Sequence, residues 1–241
     1  MTASAAPEFM KLLAHDLRWS ILKALSKTDL QVNELVDEVQ QPMNLVSYHL
    51  KKMRDYALVT TRRSEVDGRD VYYSLDLEYM KRMYEEAAIA LHPALSLSRQ
   101  VSRSYPAQRI LFVCTHNSAR SQMAAAFMRE QSSSQLTVYS AGSHPTTVHP
   151  DAVATMAQFG IDIRHQQARN VSEFEGEMFD YVITVCDKAR EVCPTFSGKG
   201  IRLHWGFSDP VSISDNAERA KNFRDIARQL QVRSAFFLQN L

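Results

Sequence analysis

The 241-residue chain carries 28 Lys+Arg against 27 Asp+Glu, a net charge of +1, and is 45% hydrophobic. That length suits two ordinary globular domains. No apolar run approaches the roughly 18 residues a membrane span requires. The start, MTASAAPEF, lacks the basic and apolar segments of a secretory signal, so the expectation is a cytoplasmic protein. Residues 1–104 hold 14 basic and 14 acidic residues and the remainder 14 and 13. Any affinity for nucleic acid must therefore come from a local patch.

In chain order, Phe9–Leu25 places Leu12, Leu13, Leu17, Ile21, Leu22 and Leu25 at helical spacing. Asp29 and Asn33 are candidate caps before a helix over Glu34–Val39, and Pro42 opens a further helix to about Tyr56. The period then changes. Leu58–Arg62 and Val71–Leu75 read as strands joined at Asp67-Gly68, and Asp76–Leu91 returns to helix. Residues 96–107, rich in Ser and Arg, form the expected linker between domains at 1–95 and 108–241. The second half alternates: strands at Arg109–Val113, Leu136–Ser140, Tyr181–Val185 and Ile201–Trp205, and helices at Ser121–Gln131, Pro150–Phe159 and Ala217–Leu238. Strands separated by helices predict an α/β domain, a four-stranded parallel sheet with helices on both faces.

All three cysteines, Cys114, Cys186 and Cys193, lie in that second half. An odd count argues against a structural disulfide framework and leaves reactive thiols, metal ligands or packing residues. The segment Cys114-Thr115-His116-Asn117-Ser118-Ala119-Arg120-Ser121 follows one predicted strand and opens a helix. Five residues between cysteine and arginine suffice for a loop whose amides converge on one anion, to which the helix start adds partial positive charge. Arg120 offers a two-pronged donor to a tetrahedral oxyanion, and the same dipoles favour Cys114 as a thiolate nucleophile. Asn117 suits a left-handed position, and Ser121 can donate to the sulfur. The competing reading is a helix-cap loop around an inert buried cysteine.

These residues resemble the signature loop of the low-molecular-weight tyrosine phosphatase superfamily, and within it the arsenate reductase branch. The resemblance continues through Tyr139-Ser-Ala-Gly142, Val185-Cys186, Cys193-Pro194 and His204-Trp-Gly-Phe-Ser-Asp-Pro210. It implies Asp209 as general acid, an alternative being an Asp that caps the turn after it. It implies a relay in which Cys114 attacks arsenate, Cys186 attacks Cys114, and Cys193 attacks Cys186 to leave a disulfide for thioredoxin. No bound cofactor and no metal are expected, three thiols without a histidine pattern fitting zinc poorly. Three departures stand out: Ala119 where close relatives have a second loop cysteine, His116 where glycine is usual, and Ala125 where some relatives carry an acidic residue that supports potassium. That cation site is expected to be absent. A phosphotyrosine phosphatase is the alternative enzyme, disfavoured by the cysteine pair and by Val211-Ser212 where phosphatases tend to carry aromatics.

His15–Leu75 resembles the ArsR-type winged helix-turn-helix, carried by Leu17-Arg-Trp-Ser-Ile-Leu22, Val32-Asn-Glu-Leu35, Asn44–Arg54 and Arg69-Asp-Val-Tyr-Tyr-Ser74. The resemblance implies an α+β fold whose helix Met43–Arg54 enters a DNA major groove. Asn44, Ser47, Tyr48 and His49 become candidate base or sugar contacts; Lys51, Lys52 and Arg54, with Arg62, Arg63 and Arg69 on the wing, candidate phosphate contacts. Leu45, Val46 and Leu50 are expected in the core. Homodimerisation through the first helix and Asp76–Leu91 is also implied. Two classes follow: an enzyme with a DNA-binding appendage, or a transcriptional regulator whose reductase-like domain senses an oxyanion or redox state.

Overall fold

In the computed structural model, residues 6–92, 105–192 and 200–241 are described. The chain divides into two compact units, Met1–Ser102 and Arg103–Leu241. Much of the expected linker at 96–107, and Cys193, lie outside the described residues. No helix among the described residues is long and apolar enough to cross a membrane.

The first unit contains α1 (Glu8–Leu13), α2 (Asp16–Leu25), β1 (Leu30–Gln31), α3 (Val32–Val39), α4 (Met43–Asp55), β2 (Val59–Arg63), β3 (Val71–Leu75) and α5 (Leu77–Leu91). The single helix expected over Phe9–Leu25 is two. The chain breaks at Ala14-His15, and Arg18 caps the end of α1, its Nε donating to Leu12 O at 2.6 Å and Nη2 to Lys11 O at 3.3 Å. Neither Asp29 nor Asn33 starts α3. Asp29 is buried, β1 intervenes, and Gln31 is the cap, its N–H donating to Glu34 Oε2 at 2.8 Å. β2 and β3 pair antiparallel as expected, with β1 added on the far side of β3. Asp76 caps α5, accepting from Tyr79 N–H. Ile21, Leu22, Leu35, Val46, Leu50, Met53 and Leu58 form the core.

The second unit contains β4 (Arg109–Cys114), α6 (Arg120–Gln131), β5 (Thr137–Gly142), α7 (Pro150–Gln158), β6 (Tyr181–Thr184), α8 (Asp187–Val192), β7 (Ile201–His204) and α9 (Asn216–Gln239). The four strands are all parallel in the order β5-β4-β6-β7. β4 is buried from Ile110 to Cys114, an apolar run that only a central strand covered on both faces allows. Arg120–Met128 of α6 are all buried, and Phe237 of α9 meets Tyr181 and Trp205 edge-on. Sequence periodicity did not predict α8, which is a single short turn-and-a-half.

That strand order positions the site. From β4 the chain steps one way to β5 and then crosses to β6 on the other side. The winding therefore reverses between β4 and β6, and in open parallel sheets a crevice forms at such a point beyond the carboxyl ends of the strands. Cys114 ends β4 and Cys186 lies two residues past the end of β6.

Candidate oxyanion and thiol site

The loop Cys114–Arg120 joins β4 to α6, and its sulfur sits in a defined set of donors. Asn117 N–H donates to Cys114 Sγ at 3.1 Å, and Ser121 Oγ lies 2.9 Å from the same sulfur. Asn117 Nδ2 donates to Ser121 Oγ at 2.8 Å. The Ser121 hydroxyl keeps its proton and a second lone pair for the sulfur contact, in which either atom can donate. Asn117 is itself held: its Oδ1 accepts from Arg169 N–H at 2.9 Å and from Gln122 Nε2 at 3.2 Å. It has φ 45°, the left-handed conformation expected from the sequence.

A neighbouring segment orients the rest of the loop. His144 N–H donates to Thr115 O at 2.8 Å, Thr146 N–H to His116 O at 2.9 Å and His149 N–H to Ser118 O at 2.8 Å. In a trans peptide the N–H points opposite to the C=O. Pinning three carbonyls to segment 144–149 leaves the following amides to face away from it, as Asn117 N–H does toward the sulfur. Gly142, at the end of β5, closes the arrangement: a Cβ there would lie 2.6 Å from Thr115 O and 2.8 Å from Asn117 N. Sequence reasoning missed segment 144–149 and Gln122, which hold the loop through backbone and amide hydrogen bonds.

Arg120 is 5% exposed; Nη1 donates to Phe207 O at 2.6 Å and Nη2 lies 3.3 Å from Asp209 Oδ1. Asp209 Oδ1 also accepts from Val211 N–H at 3.3 Å, capping the 3-10 turn Pro210–Ser212. The cap and the arginine partner are thus one residue. Cys186 is 1% exposed, its sulfur 3.4 Å from Thr115 Oγ1 and accepting from Ala189 N–H at 3.4 Å. Burial pushes the Cys186 thiol up from its ordinary value, a nearby Cys114 adding to this; the Arg120 cation and the two hydrogen bonds oppose it. The structure therefore brings Cys114, Thr115, Asn117, Arg120, Ser121, Cys186 and Asp209 together. Ala119 is buried at the start of α6, Ser118 is half-buried and His116 is exposed. Among the described residues no cluster of three His, Cys, Asp or Glu side chains could hold a metal.

In the first unit, Asn44, Ser47, Tyr48, Lys51, Lys52 and Arg54 of α4 are exposed, as are Arg63 and Arg69. Lys52 stacks on Tyr48, Arg62 stacks on Tyr72, and Arg69 is paired with Asp67 at 2.7 Å. His49 is a correction. It is 4% exposed and packs 4.4 Å from the His15 ring, so it cannot meet a base edge. Val46, His49, Leu50 and Met53 share one face at helical spacing, and that face is the core. Leu45, expected inside, is exposed for the same reason.

The class these features define is a cysteine-loop enzyme of the doubly wound phosphatase type. Residues 109–241 match the model for low molecular weight phosphotyrosine protein phosphatase, and residues 15–61 match that for bacterial regulatory protein, arsR family. The chain belongs to the low molecular weight phosphotyrosine protein phosphatase family, with an ArsR-family helix-turn-helix region at its N-terminal side. It is 35% identical over 131 residues to an arsenate reductase of Halalkalibacterium halodurans, covering 54% of this chain and 94% of that protein. It is 41% identical over 102 residues to an arsenate reductase of Brevibacillus brevis, covering 42% and 76%. A solved arsenate reductase in the phosphate binding state aligns at 29% identity over 55% of this chain and 98% of that one, TM-score 0.49.

Two outcomes test this geometry. Gly142→Ala should destabilise the protein by about 1–3 kcal/mol through overpacking against the loop backbone, read by urea denaturation; an unchanged midpoint refutes the close fit. In a Cys114→Ser protein, alkylation of Cys186 should be slower at pH 7 than that of a free cysteine. Because a raised thiol value keeps the sulfur protonated at neutrality, the rate should climb by roughly tenfold per pH unit as thiolate forms. A flat profile between pH 7 and 9, followed by peptide mass spectrometry, contradicts it.

Proposed function

We propose that the second unit is an arsenate reductase working through a Cys114 nucleophile and a Cys186–Cys193 relay. The observation that carries the reading is a second buried thiol, Cys186, next to the anion loop at the strand end beside Cys114. Phosphate-ester hydrolysis needs a nucleophile, an arginine and an acid, but no second thiol. The similarity to proteins named arsenate reductase supports the same choice.

In the proposed sequence the Cys114 sulfur bonds to arsenic while Asp209 protonates the departing oxygen, which leaves as water. Arg120 and the loop amides hold the remaining oxygens. Cys186 thiolate then attacks Cys114 Sγ. The electron pair of the sulfur–arsenic bond stays on arsenic, so arsenic(V) leaves as arsenite and two thiols become a disulfide. Cys193 attacks Cys186, expelling Cys114 as thiolate. That presents a disulfide to a dithiol donor of the thioredoxin type, in keeping with a reducing, cytoplasmic setting.

For the first unit the proposal is DNA binding as a homodimer, with Asn44, Ser47 and Tyr48 facing bases and Lys51, Lys52, Arg54 and Arg63 facing phosphates. The exposed face of α4 and the match to the arsR family support it. A regulator whose second unit senses an oxyanion or redox state remains the rival; DNA binding that changes on oxidation without arsenate turnover would favour it.

Arsenate turnover coupled to thioredoxin, its reductase and NADPH should vanish in Cys114→Ser and fall to at most a single turnover in Cys186→Ser or Cys193→Ser. Asp209→Asn should lower the first turnover by about 10²–10⁴-fold. Full multiple turnover by Cys186→Ser would exclude the relay and leave the phosphatase reading, which p-nitrophenyl phosphate hydrolysis would then have to support. For DNA, replacing Lys51 and Lys52 by Ala should weaken a salt-dependent mobility shift on every sequence tried. Each lost phosphate contact should flatten the log–log salt slope by about 0.9; an unchanged slope places these lysines outside the interface.

A further inference from the structure

A buried histidine–carboxylate pair lies directly behind Cys186 and is used by none of the steps above. Asp187, the residue after Cys186 and the first of α8, is 1% exposed; His204, the last residue of β7, is 3% exposed. His204 Nε2 lies 3.0 Å from Asp187 Oδ1. Its Nδ1 lies 2.9 Å from Thr184 Oγ1, the residue paired with it across β6 and β7. The Thr184 hydroxyl can turn to Leu203 O, 3.3 Å away, or to Nδ1. With the hydroxyl turned to Nδ1, the neutral imidazole carries its proton on Nε2 and donates it to the carboxylate. The three side chains thus tie the ends of two strands to the first turn of α8.

Beyond its carbonyl, which accepts from Arg190 N–H at 3.2 Å in the first turn of α8, Cys186 has little else to hold it. Its sulfur makes two weak contacts, both at 3.4 Å. On the N-terminal side the backbone is fixed by Val185 N–H donating to Val113 O at 2.8 Å. On the C-terminal side comes a six-residue helix, too short to be stable without an anchor. The geometry points to His204 and Asp187 as positioning residues for the resolving thiol. They hold the start of α8 so that Cys186 Sγ stays beside Thr115 and in line for the Cys114 adduct. This rests on the relay proposed above and assigns the pair no contact with the anion.

Loss of the pair should slow formation of the Cys114–Cys186 disulfide and spare chemistry that needs only the anion loop. In a Cys193→Ser background, arsenate should convert the protein to that disulfide, read by quenched-flow mass spectrometry. Asp187→Ala and His204→Gln, each made in that background, should lower the rate by roughly tenfold or more, since small misplacements of a reacting group are costly. Hydrolysis of p-nitrophenyl phosphate by the same proteins should keep its kcat and KM within about twofold. A disulfide rate within twofold of the parent overturns the positioning role. A parallel fall of both activities overturns it too, because the pair would then serve only the general integrity of the fold. A Cys193→Ser parent that forms no disulfide with arsenate defeats the relay and the positioning role together, an outcome distinct from a parent that reacts and variants that react equally fast.

Discussion

The orientation of the Cys114–Arg120 peptide planes governs everything at this site. A loop that binds an anion must turn its amides inward, and amides turn inward only if the carbonyls behind them find donors elsewhere. Segment 144–149 supplies those donors to Thr115, His116 and Ser118, and Gly142 lets the loop sit against β5. Asn117 then couples the backbone to the sulfur, its amide donating to Cys114 and its side chain fixing Ser121. Remove these supports and the cysteine becomes an ordinary buried thiol on a strand end.

A buried guanidinium requires compensation, since taking the charge out of water costs several kcal/mol. Arg120 finds it in the Phe207 carbonyl and the Asp209 carboxylate. Both partners come from the segment after β7, so closing that segment over the loop aligns the acid with the arginine. The same carboxylate caps the Pro210 turn, which explains why the capping and catalytic readings of Asp209 could not be separated by sequence alone. Across the crevice, burial pushes the Cys186 thiol up, while the Arg120 cation and two hydrogen bonds oppose it. The parallel register of β4 and β6 sets that proximity, because Val113 lies opposite Thr184 and the two cysteines follow one and two residues later.

The winged-helix unit shows the opposite economy. α4 buries one stripe, Val46, His49, Leu50 and Met53, and leaves Asn44, Ser47, Tyr48, Lys51 and Lys52 to solvent. The buried His49 Nδ1 has no hydrogen-bond partner. Burial and the nearby His15, Arg18 and Lys52 charges all lower its affinity for a proton, consistent with an uncharged ring in the core. The unit carries no cysteine, so whatever thiol chemistry the protein performs belongs to the other half.

Local pattern determined most of the architecture. The apolar run of β4, the Cys114-to-Arg120 spacing, the left-handed Asn117 and the alternation of strands and helices were all legible, because each depends on residues close together in the chain. The break at Ala14-His15, the β1 strand, the Gln31 cap and α8 were not, since specific side-chain-to-backbone bonds, such as those of Arg18 to the α1 carbonyls and of Glu34 to Gln31, leave no mark in hydrophobic periodicity. His49 shows the limit most clearly: its chemistry suggested a groove contact, while its helical phase put it inside. Which carbonyls the loop surrenders to segment 144–149, which groups neutralise Arg120 and what stands behind Cys186 were decided only by the fold. Those partners are separated from the loop by tens of residues and meet because parallel strands end on one edge of a sheet whose winding reverses there.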